Sequence, residues 1–97
     1  MLNNCVFLLG SPDISGGTYV IFEHAIRMNR RGIKVYIIPL EPYSENRVFW
    51  HPEAKELNWI TYEDAKNMEF DIAIATWWKT VFEIYKIKAK KYSYFVQ

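Results

Sequence analysis

Apolar residues fall along this chain in two alternating registers. Cys5-Val6-Phe7-Leu8-Leu9 is an unbroken apolar run, the pattern of a strand covered on both faces, and therefore of a parallel sheet with helices above and below. Gly10 and Pro12 end it. From Thr18 the period lengthens: Tyr19, Phe22, Ile26 and the stem of Asn29 or Arg30 recur at helical spacing, with Ile21, Ala25 and Met28 widening the stripe. Ser15 is placed to cap this helix. Gly32 supplies the left-handed stop after the basic pair Arg30-Arg31. Lys34 to Pro39 is a second β-rich run, close enough behind the helix for a tight connection, so the first forty residues form one strand-helix-strand unit.

Beyond Leu40 the pattern loosens. Residues 40 to 57 carry Pro42, Ser44, Asn46 and Pro52 and read as a long excursion, in which Val48-Phe49-Trp50-His51-Pro52 is aromatic enough to pack back over the sheet edge. Leu57 to Thr61 is a short third strand. Tyr62 to Asn67 is a short helix that Thr61 caps, with Asp64 at the capping-box position. Phe70 to Thr76 is a fourth strand. Trp78, Val81, Phe82, Tyr85 and Ala89 form a second helical stripe, with Lys88, Lys90 and Lys91 at its carboxyl end. Tyr92 to Gln97 closes the series as a fifth strand.

Strands alternating with helices at this cadence predict a Rossmann-like three-layer α/β sandwich over residues 1–97, one domain with a parallel sheet of about five strands in the order 3-2-1-4-5. In that order the switch point lies between strands one and four. The loops after those strands then face each other at the carboxyl edge, where open α/β sheets bind ligands. One wall of that crevice is Ser15-Gly16-Gly17, the other Thr76-Trp77-Trp78-Lys79.

Composition narrows the chemistry. Ninety-seven residues suffice for one core, and 51% hydrophobic with 18% aromatic residues argues against disorder. The single cysteine, Cys5, lies in an apolar run, so there is no disulfide framework and the expectation is a reducing, cytoplasmic setting, central or peripheral at the inner membrane face. No run approaches the length of a transmembrane helix. The net charge is +1 but uneven: residues 41 to 71 hold eight acids against Arg47, Lys55 and Lys66, and residues 79 to 91 hold five lysines against Glu83. The basic groups are not confined to one aromatic face, so nucleic acid is not an expected partner.

Local motifs are sparse. Gly10 to Gly17 fits neither G-x-G-x-x-G nor the Walker A spacing, although glycines at a helix start leave N–H groups open to a phosphate. No catalytic residue stands out: Gly10-Ser11-Pro12 is not a nucleophile elbow, and Cys5 is a buried core residue. His24 and His51 have no ligand-spaced partner, so no metal is expected and each is read as a structural or surface histidine. Trp78 is assigned to the core and Trp77 to ligand contact.

The run from Gly16 through Val35, with Phe70 to Thr76 and Tyr94 to Gln97, resembles the amino-terminal domain of family-4 (group 1) glycosyltransferases of the GT-B fold, and is similar to the bacterial rhamnosyltransferase-like members. The resemblance implies that Ser15, Gly16 and Gly17 lie on the side of the donor's diphosphate and that Thr76, Trp77 and Lys79 lie near the acceptor. Many members carry a histidine at the end of the fifth strand, where this chain has Gln97. It further implies a nucleotide-sugar donor and a glycan or lipid-linked acceptor, engaged only with a carboxyl-terminal domain that would follow Gln97, no other cofactor, and no activity in this piece alone. The alternatives are a stand-alone flavodoxin-like or receiver-like binding module, against which Asp13 stands as a lone acid, and an assembly role through exposed apolar surface.

Overall fold

The computed structural model describes residues 3–10, 16–41, 44, 48, 50–81 and 83–95, without the side chain of Trp78. Five parallel strands form one sheet: β1 (Asn4–Leu9), β2 (Lys34–Pro39), β3 (Asn58–Trp59), β4 (Ile72–Ala75) and β5 (Tyr92–Tyr94), in the order β3-β2-β1-β4-β5. This is the expected order. β1 is central, with Cys5 opposite both Val35 and Ile72, and Leu8 opposite both Ile38 and Ala75.

The two faces of β1 seed two separate cores. Cys5, Phe7 and Leu9 pack with Ile21, Phe22, Ala25 and Ile26 of helix α1 (Gly16–Arg30), and with Val48, Ala54 and Leu57 from the excursion. Val6 and Leu8 pack on the opposite face with Ala65 of helix α2 (Tyr62–Ala65) and with Phe70, Ile84 and Ile87. The connections on the β2-β3 side thus cover one face and those on the β4-β5 side the other, as right-handed crossovers require once the winding reverses. Burial pushes the Cys5 thiol up to about 12, so it stays a neutral core group.

Several elements differ from the sequence expectation. Helix α1 is followed by Gly32 at φ +95, as read from its glycine, and Ile21, Phe22, Ala25 and Ile26 of the expected stripe are buried, but Tyr19 is half exposed and Thr18 is buried. The reason is the aromatic excursion. Trp50 and His51 lie on Phe22, at ring-centre distances of 5.5 and 5.3 Å, and Trp59 meets it edge-on at 5.8 Å. The excursion therefore packs on α1 and also on Trp59 of the outer strand β3, whose Nε1–H donates to Ala54 C=O at 2.8 Å. A single 3-10 turn, Pro52–Glu56, fastens it further, with Arg30 ion-paired to Glu53 and Glu56 at 2.9 and 3.6 Å.

The long second helix is broken into two pieces, α3 (Trp78–Val81) and a 3-10 turn, Ile84–Lys86. Ile84 and Ile87, three residues apart, take the buried positions, while Tyr85 is exposed. Ala89 bridges to Phe70 in the sheet direction instead of extending the helix. Helix α2 has the expected capping box: Thr61 Oγ1 accepts from Asp64 N–H, and Asp64 Oδ2 accepts from Thr61 N–H, both at 3.1 Å.

At the amino edge, Asp71 ties β4 to β1. Its carboxylate accepts the Asn3 N–H at 2.7 Å and the Asn4 N–H at 3.3 Å, while its own N–H donates to Asn4 Oδ1 at 2.8 Å. The Asn3 N–H chiefly holds this carboxyl below its ordinary value of 3.8; partial desolvation opposes it, and the Asn4 N–H and Lys90, 3.4 Å away, add to the lowering. A carboxylate lowered on folding stabilises the fold above its ordinary range and ceases to do so as pH falls through its folded value. Stability measured by urea denaturation should therefore fall on acidification below about pH 4, and Asp71→Asn should flatten that part of the profile.

Candidate functional site

The carboxyl edge of the sheet is where β1 and β4 release their loops side by side, since Leu8 is opposite Ala75. β2 and β3 lead away to one side of this point and β5 to the other, so the winding reverses here. Both predicted walls start from it. Gly16 and Gly17 form the first turn of α1, so their conformation is helical; among the described residues the one glycine with positive φ is Gly32. Ser15 lies outside the described residues.

The second wall is a compact turn built on Thr80, which is fully buried. Its Oγ1 accepts the Thr76 N–H at 3.1 Å and the Trp77 N–H at 3.0 Å, and donates to the Trp77 carbonyl at 2.6 Å. One hydroxyl thereby satisfies the opening of α3. Thr76 is itself anchored inward, its hydroxyl donating to Leu8 C=O at 2.7 Å and its N–H reaching the same oxygen at 3.3 Å. Of the three predicted acceptor-side residues, Thr76 is thus turned into the sheet.

Trp77 and Lys79 are the pair that faces outward. The Trp77 indole is 40% exposed and lies on Gly10, so close that a Cβ there would stand 2.6 Å from a ring carbon. Only a residue without a side chain admits the ring at this distance. Lys79 Nζ sits 5.0 Å from the centre of the same ring, within cation–π range. The arrangement is an aromatic ring lying on Gly10 at the end of β1, with a lysine ammonium over it. On the β2-β3 half of the same edge, Pro39, Leu40, Trp59, Ile60 and Tyr62 line a second depression of about 470 Å³.

Sequence reasoning singled out Trp77 and Lys79 but not Gly10 or Thr80, which position them. Gly10 read as a strand stop, and nothing local to it signals a tryptophan 67 residues away. Thr80 carried a detectable signal, a threonine three residues after the first residue of a turn, but it was hidden inside the apolar stripe assigned to a longer helix. His51, read as structural or surface, is structural: it is buried among Tyr19, Phe22 and Trp50, with Nε2 2.9 Å from Glu23 Oε2. His24 is exposed and meets Phe95 edge-on.

Among the described residues no three His, Cys, Asp or Glu side chains stand together as metal ligands, and no helix is long and apolar enough to cross a membrane. The fold is a doubly wound α/β sandwich whose winding reverses between β1 and β4. Compared with protein-family models, with curated proteins and with solved structures, the chain matches none.

Two substitutions test how the ring is held. Thr80→Val keeps the shape but strands the Trp77 N–H, and should lower stability by about 1–3 kcal/mol in chemical denaturation. Gly10→Ala should displace the indole, so in a double-mutant cycle with Trp77→Ala the two changes should couple by about 0.5–3 kcal/mol.

Proposed function

We propose that this chain is the amino-terminal, acceptor-side half of a GT-B glycosyltransferase of family 4, which moves a sugar from a nucleotide-sugar donor to a glycan or lipid-linked acceptor. What supports the reading is the outward-facing Trp77–Lys79 pair after β4, beside the point where the winding reverses, together with a helix α1 that opens on two glycines. The sheet order and the short step from α1 through Gly32 into β2 agree with the resemblance already described.

In this reading the roles divide across the crevice. The first turn of α1, with Ser15, Gly16 and Gly17, offers N–H groups and the positive end of the helix dipole toward the donor's diphosphate. Trp77 stacks against an acceptor ring, and Lys79 meets a hydroxyl or an anionic group beside it. The Thr76 and Thr80 hydroxyls keep Trp77 in place. The groups that grip the nucleotide belong to a second domain closing over the crevice, and the chemistry occurs only between the two.

It follows that the donor should not bind this chain by itself. Isothermal titration of the chain with nucleotide sugars should give no heat of binding. Binding at micromolar strength would overturn the divided-site reading in favour of a stand-alone binding module.

A further inference from the structure

On the β2-β3 half of the carboxyl edge, the depression of about 470 Å³ that runs from Pro39 and Leu40 to Tyr62 has a volume suited to a small molecule. Its two aromatic residues keep their polar atoms out of it. Trp59 spends its Nε1–H on Ala54 C=O at 2.8 Å, and its ring meets Phe22 edge-on at 5.8 Å. The Tyr62 hydroxyl is buried and so is not open to the depression. With Pro39, Leu40 and Ile60 between them, most of the lining is apolar.

The polar groups that remain are few and one-sided. The N–H groups of Leu40 and Ile60 are already bound, to Leu9 C=O at 2.7 Å and to Ile37 C=O at 2.9 Å. Thr61 N–H donates to Asp64 Oδ2, and Thr61 Oγ1 accepts from Asp64 N–H, both at 3.1 Å. This capping box engages one oxygen of the Asp64 carboxylate and leaves the other. Asp64 is exposed and makes no ion pair among the described residues, whereas its neighbour Glu63 is paired with Lys66 at 2.9 Å. Lys86, whose Nζ lies 5.8 Å from the centre of the Tyr62 ring, is paired with Glu83. An aromatic and aliphatic wall thus carries one uncompensated negative charge at its rim.

Charge and lining together select the ligand. An anion meets the carboxylate's own sign, and a sugar would bring a ring of hydroxyls to a largely apolar wall. A protonated amine with an apolar body fits both features. Its ammonium donates to the open carboxylate oxygen of Asp64, and its body covers Leu40, Trp59 and Ile60.

We propose that this depression binds a small organic cation, a protonated amine carrying an aromatic or aliphatic body, with Asp64 as its counter-ion. None of its residues belongs to the Trp77–Lys79 pair, and the proposal is independent of sugar transfer.

The test is an amide NMR titration at pH 7 and fixed ionic strength with three probes of one shape: phenethylamine, 2-phenylethanol and phenylacetate. Phenethylamine should give saturable shifts at Ile60, Thr61 and Asp64. The neutral alcohol should bind about three- to fivefold more weakly, and the anion should leave these amides unmoved. Asp64→Asn, which keeps a capping acceptor and removes the charge, should bring the amine down to the level of the alcohol without changing the alcohol's own affinity. Leu40→Arg, at a partly exposed position, should abolish the amine shifts while circular dichroism stays unchanged. Should the asparagine variant fail to fold, the comparison of amine with alcohol in the native chain decides. No shifts at millimolar amine, equal binding of amine and alcohol, binding of phenylacetate at the same amides, or tighter binding of methyl glucoside there would each overturn the proposal.

Discussion

Everything in this fold depends on a strand that has no polar face. Cys5 through Leu9 are all buried, with β2 on one side and β4 on the other. A strand of this kind needs an apolar layer above and another below, and a short chain provides both only by winding outward in one direction and then reversing. In open sheets such a reversal opens a gap at the carboxyl edge, and here the reversal falls between β1 and β4. The candidate site is therefore a by-product of the way the central strand is buried.

At that gap the structure uses very few atoms to hold a large ring. Thr80 Oγ1 serves two N–H donors and one carbonyl, Thr76 binds Leu8, and Gly10 makes room for Trp77. Such a turn is rigid because each of its short bonds is buried or half buried, where an unmade hydrogen bond is costly. The indole is thereby held against Gly10 while 40% of the residue stays exposed. Lys79, the second residue of α3, puts its charge over the ring of Trp77, the residue just before that helix.

The two ends of the sheet are finished differently. On the β3 side, Trp59 donates to Ala54 C=O and packs on Phe22, so the aromatic excursion wraps that flank. On the β5 side the strand is short, exposed and entered through lysines.

The strand order, the stop at Gly32 and the capping box of α2 were legible because each rests on neighbours in sequence: an apolar run, a glycine after a basic turn, a threonine three residues before an aspartate. Their energies are local, so local pattern reports them. Trp77 and Lys79 were legible as candidates by position, since both follow the end of a strand. The exposure of Tyr19, the inward Thr76 and the broken second helix were not legible. Tyr19 and Ile21 both belong to the expected face of α1, and Tyr19 is left at its edge where Trp50 and His51, 28 and 29 residues further on, pack on Phe22. Likewise Gly10 acquired its role only when β4 was laid beside β1. The sequence alone determined which segments are strands and helices and in what order they must pair, because burying a two-faced apolar strand admits few solutions. Tertiary structure alone decided which side chains face the crevice, because that depends on which distant ring fills each space first.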